Sequence, residues 1–203
     1  EAYFYTYQKA KKVLEQNKSI ETVFIEFANN QIDQRMNDWT WDNKHISFKF
    51  PILSPFMSPM DKMLLFKKNP EGFLSSLSVS SKKRIGQVLN KDFNYTNRIG
   101  GYNYLIRDKT DSILKASNSN KIEVNYENKI SEINLKYLLQ TIDLCNKSGK
   151  KVYLVRSPIH TNSLSYQNES QFQEILQNNI MNVEFLDFSK FPLKTLNLEI
   201  WSI

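Results

Sequence analysis

The sequence predicts an α/β fold, in which a parallel sheet with helical connections is interrupted by a large, mostly helical insertion. Three observations predict it. β-branched and aromatic runs of strand length recur at residues 22–28, 152–155 and 183–187. An amphipathic helical pattern precedes each of them. The composition, 40% hydrophobic and 24% charged with only 5 Gly and 6 Pro in 203 residues, is that of a globular chain. Strands joined by helices imply parallel pairing and right-handed crossovers. The whole of 1–203 reads as a single α/β domain, with a core at 1–30 and 129–193 and the insertion at about 31–128. Three strands are few for such a sheet, which is expected to be incomplete at the termini.

The first helix is predicted over residues 2–17, where Tyr3, Phe4, Tyr7, Ala10, Val13 and Leu14 share one face and lysines fall between them. Thr22 to Ala28 follows as a strand, and Asn29-Asn30-Gln31 marks its carboxyl end. Residues 32–60 read as an aromatic, proline-marked loop. Trp39 and Trp41 flank Thr40, His45 to Phe50 alternates weakly, and Pro51, Pro55 and Pro59 punctuate the rest. A loop of that length inside a compact domain is expected to cover something. Met60 to Lys68 predicts a short helix, and Pro70 opens another that runs to about Asn90. Within it Lys82-Lys83-Arg84 can bind an anion, but a solvated helix face is the plainer reading. Asn97 to Tyr102, with Gly100 and Gly101, reads as a turn without the spacing of a phosphate loop. Residues 103–128 are polar, Asn-rich and expected at the surface.

A strong helix starts at Ser131, its predicted N-cap, and buries Ile133, Leu135, Leu138, Leu139, Ile142 and Cys145. Gly149 ends it. Val152 to Val155 then predicts a strand covered on both faces, entering the polar loop Arg156-Ser157-Pro158-Ile159-His160. A polar loop at 161–169, a helix marked by Phe172, Ile175 and Leu176, and a third strand at 183–187 complete the pattern.

The formal net charge of +6, from 27 basic and 21 acidic residues, admits an acidic glycan, a phosphate or a membrane surface as partner. A Lys-rich and Asn-rich chain reaches the same value with no such partner. The basic residues are dispersed and no nucleic-acid-binding motif is present, so no nucleic acid is expected. One cysteine excludes an internal disulfide. With two histidines it gives no metal-ligand spacing, so neither metal nor other cofactor is expected. No apolar run approaches the roughly 18 residues of a transmembrane helix.

Three features converge at the carboxyl edge of a parallel sheet, where open α/β folds bind ligands. They are Asn29-Asn30-Gln31, the Arg156 to His160 loop, and Asp187. The three amides suit a turn, and they also suit oxyanion stabilisation, because amide N–H groups can meet developing negative charge. Arg156 can pair with a carboxylate or phosphate, or neutralise an acid such as Glu26 at the sheet edge. Ser157, next to Pro158 and without flanking glycines, is a poor nucleophile. His160 can act as a general base or polarise a substrate, or simply hold its own loop.

Thr22 to Gln31, the Gly100-Gly101-Tyr102 turn, Lys151 to His160 and Val183 to Phe188 together resemble a group of uncharacterised bacterial proteins similar to the SGNH (GDSL-like) hydrolases. That resemblance implies a flavodoxin-like three-layer α/β/α fold and esterase, O-acyltransferase or deacetylase chemistry. It implies that Asn29 or Asn30 is the oxyanion-hole donor, that His160 acts in catalysis, and that Arg156, Ser157 and Gln31 contact a small-molecule or glycan ester. It places the protein at the cell envelope or on its cytoplasmic side. The superfamily's Ser block is absent, and no Asp-x-x-His follows Leu193. The chain is therefore expected to be a fragment that is inactive alone. The alternative is a non-catalytic glycan- or anion-binding protein, gripping with Trp39, Trp41, Phe48, Phe50 and Phe56 and the basic helix.

Overall fold

A computed structural model describes residues 1–91, 129–158, 168–180 and 183–191. The Gly100-Gly101 turn, the polar 103–128 stretch and His160 lie outside the described residues. The protein is mixed α/β, mostly helical, with a three-stranded parallel sheet. Its elements are α1 (Tyr3–Gln16), β1 (Thr22–Glu26), α2 (Asn29–Ile32), a 3-10 turn (Gln34–Asn37), α3 (Asp38–Trp41), α4 (Asn43–Leu53), α5 (Pro59–Lys68), α6 (Pro70–Leu89), α7 (Glu132–Lys147), β2 (Lys151–Arg156), α8 (Glu169–Asn179) and β3 (Glu184–Asp187). The described residues form two compact units. One gathers 1–23, 30–91 and 130–152, and the other 24–29, 129, 153–158, 168–180 and 183–191.

The first unit is helical. The described part of the stretch expected as an insertion, 31–91, folds there together with α1 and α7. Phe4 of α1 meets Tyr137 of α7 edge to face, with ring centroids 4.9 Å apart. The Tyr5 hydroxyl donates to the Thr40 carbonyl at 2.8 Å. α7 begins as expected, with Ser131 Oγ accepting from the Asn134 N–H at 3.1 Å. It closes at Gly149, whose φ of +69° suits glycine. Cys145 is fully buried.

The loop expected over 32–60 is a correction, because the segment is mainly helical. Asp42 caps α4 by accepting from the Lys44 N–H. Ile46, Phe50 and Leu53 then bury one face at i, i+4 and i+7. Pro51 sits near the end of α4, and Pro59 occupies the first turn of α5, where a missing N–H costs little. Asn29-Asn30-Gln31 is likewise helical, opening α2 instead of forming a turn.

One buried acid ties three helices of this unit. Tyr137 donates its hydroxyl to Asp61 Oδ1 at 2.6 Å, while the Gln8 amide and Ser58 hydroxyl donate to Oδ2 at 3.0 and 2.8 Å. Burial alone would raise the Asp61 pKa, but these donors and the Lys11 charge outweigh it and hold the group below its ordinary value.

The second unit holds most of the sheet, in the order β1-β2-β3. β2 and β3 run parallel, with Leu154 opposite Phe185 and Arg156 opposite Asp187. Phe27, Phe172 and Phe185 pack one face, with Phe27 and Phe172 stacked at 4.5 Å. Burial along β2 alternates among the described residues. Leu154 and Arg156 are buried, while Tyr153 and Val155 are only half-covered. The expectation of a strand covered on both faces is thus corrected. The Phe172 face of the sheet is sealed, and Phe24, stacked on Tyr153 at 5.2 Å on the other, stays 64% exposed.

Candidate functional site

The carboxyl edge of the sheet gathers a polar cluster within the second unit. β2 ends on Arg156, whose burial follows from the two-residue period that also buries Leu154. A buried guanidinium demands acceptors. Arg156 finds Glu169 in the first turn of α8 and makes the two-pronged pair that its planar fork favours: Nη2 to Oε2 at 2.7 Å and Nη1 to Oε1 at 3.1 Å. Nη1 also reaches Asp187 Oδ2, at the end of β3, at 3.4 Å. The guanidinium lies 4.9 Å from the centroid of the Phe172 ring, a cation-π distance.

Glu169 is the hub. Besides Arg156 it accepts from Asn29 Nδ2 at 2.7 Å and Gln173 Nε2 at 2.8 Å. Burial pushes its pKa up, but the bonds from Arg156, Gln173 and Asn29, with the arginine charge, win and bring it down to about 2. The N-terminus of α8 favours an anion in the same place. Asn168 donates from Nδ2 to the Asn29 carbonyl at 3.0 Å. The exits of β1, β2 and β3 and the start of α8 are thereby bound into one network.

This arrangement brings together Asn29, Arg156 and Asp187, as the topology predicts. It also separates the roles of the two asparagines. Asn29 is fully buried and its N–H₂ group is engaged by Glu169, whereas Asn30 is exposed. Gln31 belongs to the helical unit and is 95% buried there, with only 5% of its surface exposed. Ser157 is exposed one residue beyond Arg156. The acids that neutralise Arg156 at this edge include Glu169 and Asp187.

Glu169 and its neighbour Asn168 escaped sequence reasoning, which left 161–169 as loop. A signal was present: an Asn-Glu pair immediately before the Phe172, Ile175 face has the form of a helix start with an acid in its first turn. Among the described residues no three His, Cys, Asp or Glu side chains gather as a metal site. No described helix is long and apolar enough to cross a membrane.

A profile of an uncharacterised protein family matches residues 80–197, more than half of the chain. No curated protein and no solved structure matches it.

Proposed function

The chain belongs to that uncharacterised family, and we propose that its sheet is part of a flavodoxin-like three-layer α/β/α domain of SGNH type. Its substrate would be an ester, carried by a small molecule or a cell-envelope glycan. The observation that supports this reading is the clustering of Asn29, Arg156 and Asp187 at one carboxyl edge, with Glu169 the shared partner of Asn29 and Arg156 and with Arg156 reaching Asp187. That edge is where doubly wound sheets place their chemistry. The consecutive strand order β1-β2-β3 fits one half of such a sheet.

In this reading Asn30 is the oxyanion donor. It is exposed, and the committed amide of Asn29 fixes the backbone from which it projects. Arg156 and Glu169 are positioning residues. Ser157 contacts the substrate in line with the resemblance, and His160 polarises it or moves a proton. The test is a kinetic comparison of Asn30→Ala and Asn29→Ala in the natural gene product, with p-nitrophenyl acetate as substrate. Losing one oxyanion donor lowers kcat by roughly 100- to 1000-fold. The proposal expects that loss in Asn30→Ala with an unchanged thermal midpoint. Equal turnover by Asn30→Ala and the parent would remove Asn30 from the role.

One observation favours the non-catalytic alternative. Trp39, 52% exposed, stacks on His45 at 4.7 Å, and Phe48 is 62% exposed. An exposed ring stack of this kind can hold a sugar face. Loss of binding to purified cell-wall glycan in Trp39→Ala, with ester turnover absent from the parent, would select it.

A further inference from the structure

Within the helical unit, α1, α5 and α7 leave a cleft of about 440 Å³ between them. Its size falls in the range of small-ligand sites, roughly 300 to 1000 Å³. Met60, Met63 and Leu64 of α5 supply an apolar side, at spacings that place them on one stripe of the helix. Tyr7 and Tyr137 add aromatic wall. Met60 and Met63 are 82% and 53% exposed, and such unbranched thioethers adapt to irregular apolar partners.

The polar side of the cleft is cationic. Lys11, Lys67 and Lys136 line it, each from a different helix, against the single carboxylate of Asp61. That carboxylate is taken up by Tyr137, Ser58 and Gln8, with Lys11 at 3.7 Å. Lys67 and Lys136 have no acidic partner among the described residues. Lys136 rests 5.9 Å from the Tyr137 ring centroid. Three ammonium groups facing one satisfied acid leave the cleft with a surplus of positive charge beside an apolar wall. A lone charge patch would attract any anion, and a lone apolar stripe any greasy surface. The two together select a molecule that has both.

We infer that this cleft binds a single-chain amphiphile with a phosphate or carboxylate head, its head among Lys11, Lys67 and Lys136 and its chain along Met60, Met63 and Leu64. The site lies wholly within the helical unit and does not rest on either reading of the sheet edge. A free acyl or alkyl anion is the occupant of this class; a bilayer lipid is the competing one, and the assay separates the two.

The probe is decyl phosphate, kept below its micellar concentration and titrated into the protein labelled with ¹³C at its methionine methyls. Decanol, inorganic phosphate and phosphatidylglycerol vesicles are the comparison ligands. The expected result is saturable one-to-one binding that shifts the Met60 and Met63 signals and leaves the buried Met36 and Met57 unmoved. Decanol and inorganic phosphate should each bind at least about tenfold more weakly. Lys67→Gln and Lys136→Gln should each weaken decyl phosphate binding roughly three- to fivefold and reduce its salt dependence. Both lysines are exposed, so the fold should survive these changes. Unshifted Met60 and Met63 signals, or a Lys67→Gln, Lys136→Gln double variant that binds as tightly as the parent, would overturn the inference. Binding to vesicles without binding to monomeric decyl phosphate would overturn it as well, replacing the cleft with a membrane surface.

Discussion

Arg156 is a buried cation, and burying a charge is tolerable only when its donors are met with good geometry. Glu169 meets them, and its own ionisation depends on the same contacts. Its carboxyl is held down to about 2 from an ordinary 4.5. Glu169 therefore binds its proton more weakly in the folded protein than in the unfolded chain, and folding stability falls as pH drops. The stabilisation is complete above pH about 4.5 and is lost on descending through about 2. Glu169→Gln should remove this part of the acid sensitivity. The check is the difference in thermal midpoint between parent and variant across that window, since Asp33 and Asp61 are also held below their ordinary values and titrate in both proteins. Asn29 makes a second residue-scale prediction. Its side chain is fully buried and bonded to Glu169, so Asn29→Ala should cost about 1–3 kcal/mol in urea denaturation. The exposed Asn30→Ala should change stability by no more than about 0.5 kcal/mol.

Helix junctions carry the next scale. Asn69 caps α6 by accepting from the Gly72 N–H at 2.8 Å, and its Nδ2 donates at 2.6 Å to both the Trp41 carbonyl and Asn43 Oδ1. A methyl group at Gly72 would stand 2.5 Å from Asn43 Oδ1 and 2.8 Å from Asn69 Nδ2. Alanine is ordinarily the better helix former, so Gly72→Ala sets propensity against packing. Packing should win, with a loss of about 1–3 kcal/mol, and a stabilised variant in the same melt would refute the account of this junction. In the sheet unit, Phe172→Ala should cost about 3–5 kcal/mol, because its ring supports Phe27, Phe185 and the Arg156 guanidinium together. The sequence showed α1, α5, α6, α7 and all three strands through periodicity and caps. It hid α4, because three prolines and the weak alternation of 45–50 masked the Ile46, Phe50, Leu53 stripe. Helix-breaking signals outweighed a spacing that tertiary packing used. Glu169 stayed hidden for a related reason. An acid at a helix start serves the helix dipole on its own account, and nothing local shows that a buried arginine 13 residues earlier will claim it.

At the scale of the molecule, each of the two compact units has its own core and its own candidate site. The sheet edge was legible because topology alone delivers the exits of β1, β2 and β3 to one side. The cationic cleft was not. Lys11, Lys67 and Lys136 are far apart in sequence and are joined only when α1, α5 and α7 pack. The central claim is that the sheet edge serves ester chemistry. The measurement that tests it most directly is covalent labelling of the natural gene product by a fluorophosphonate, which marks an activated serine. The account predicts stoichiometric labelling of that product, together with turnover of p-nitrophenyl acetate. A natural product that neither takes the label nor turns over p-nitrophenyl acetate would contradict it.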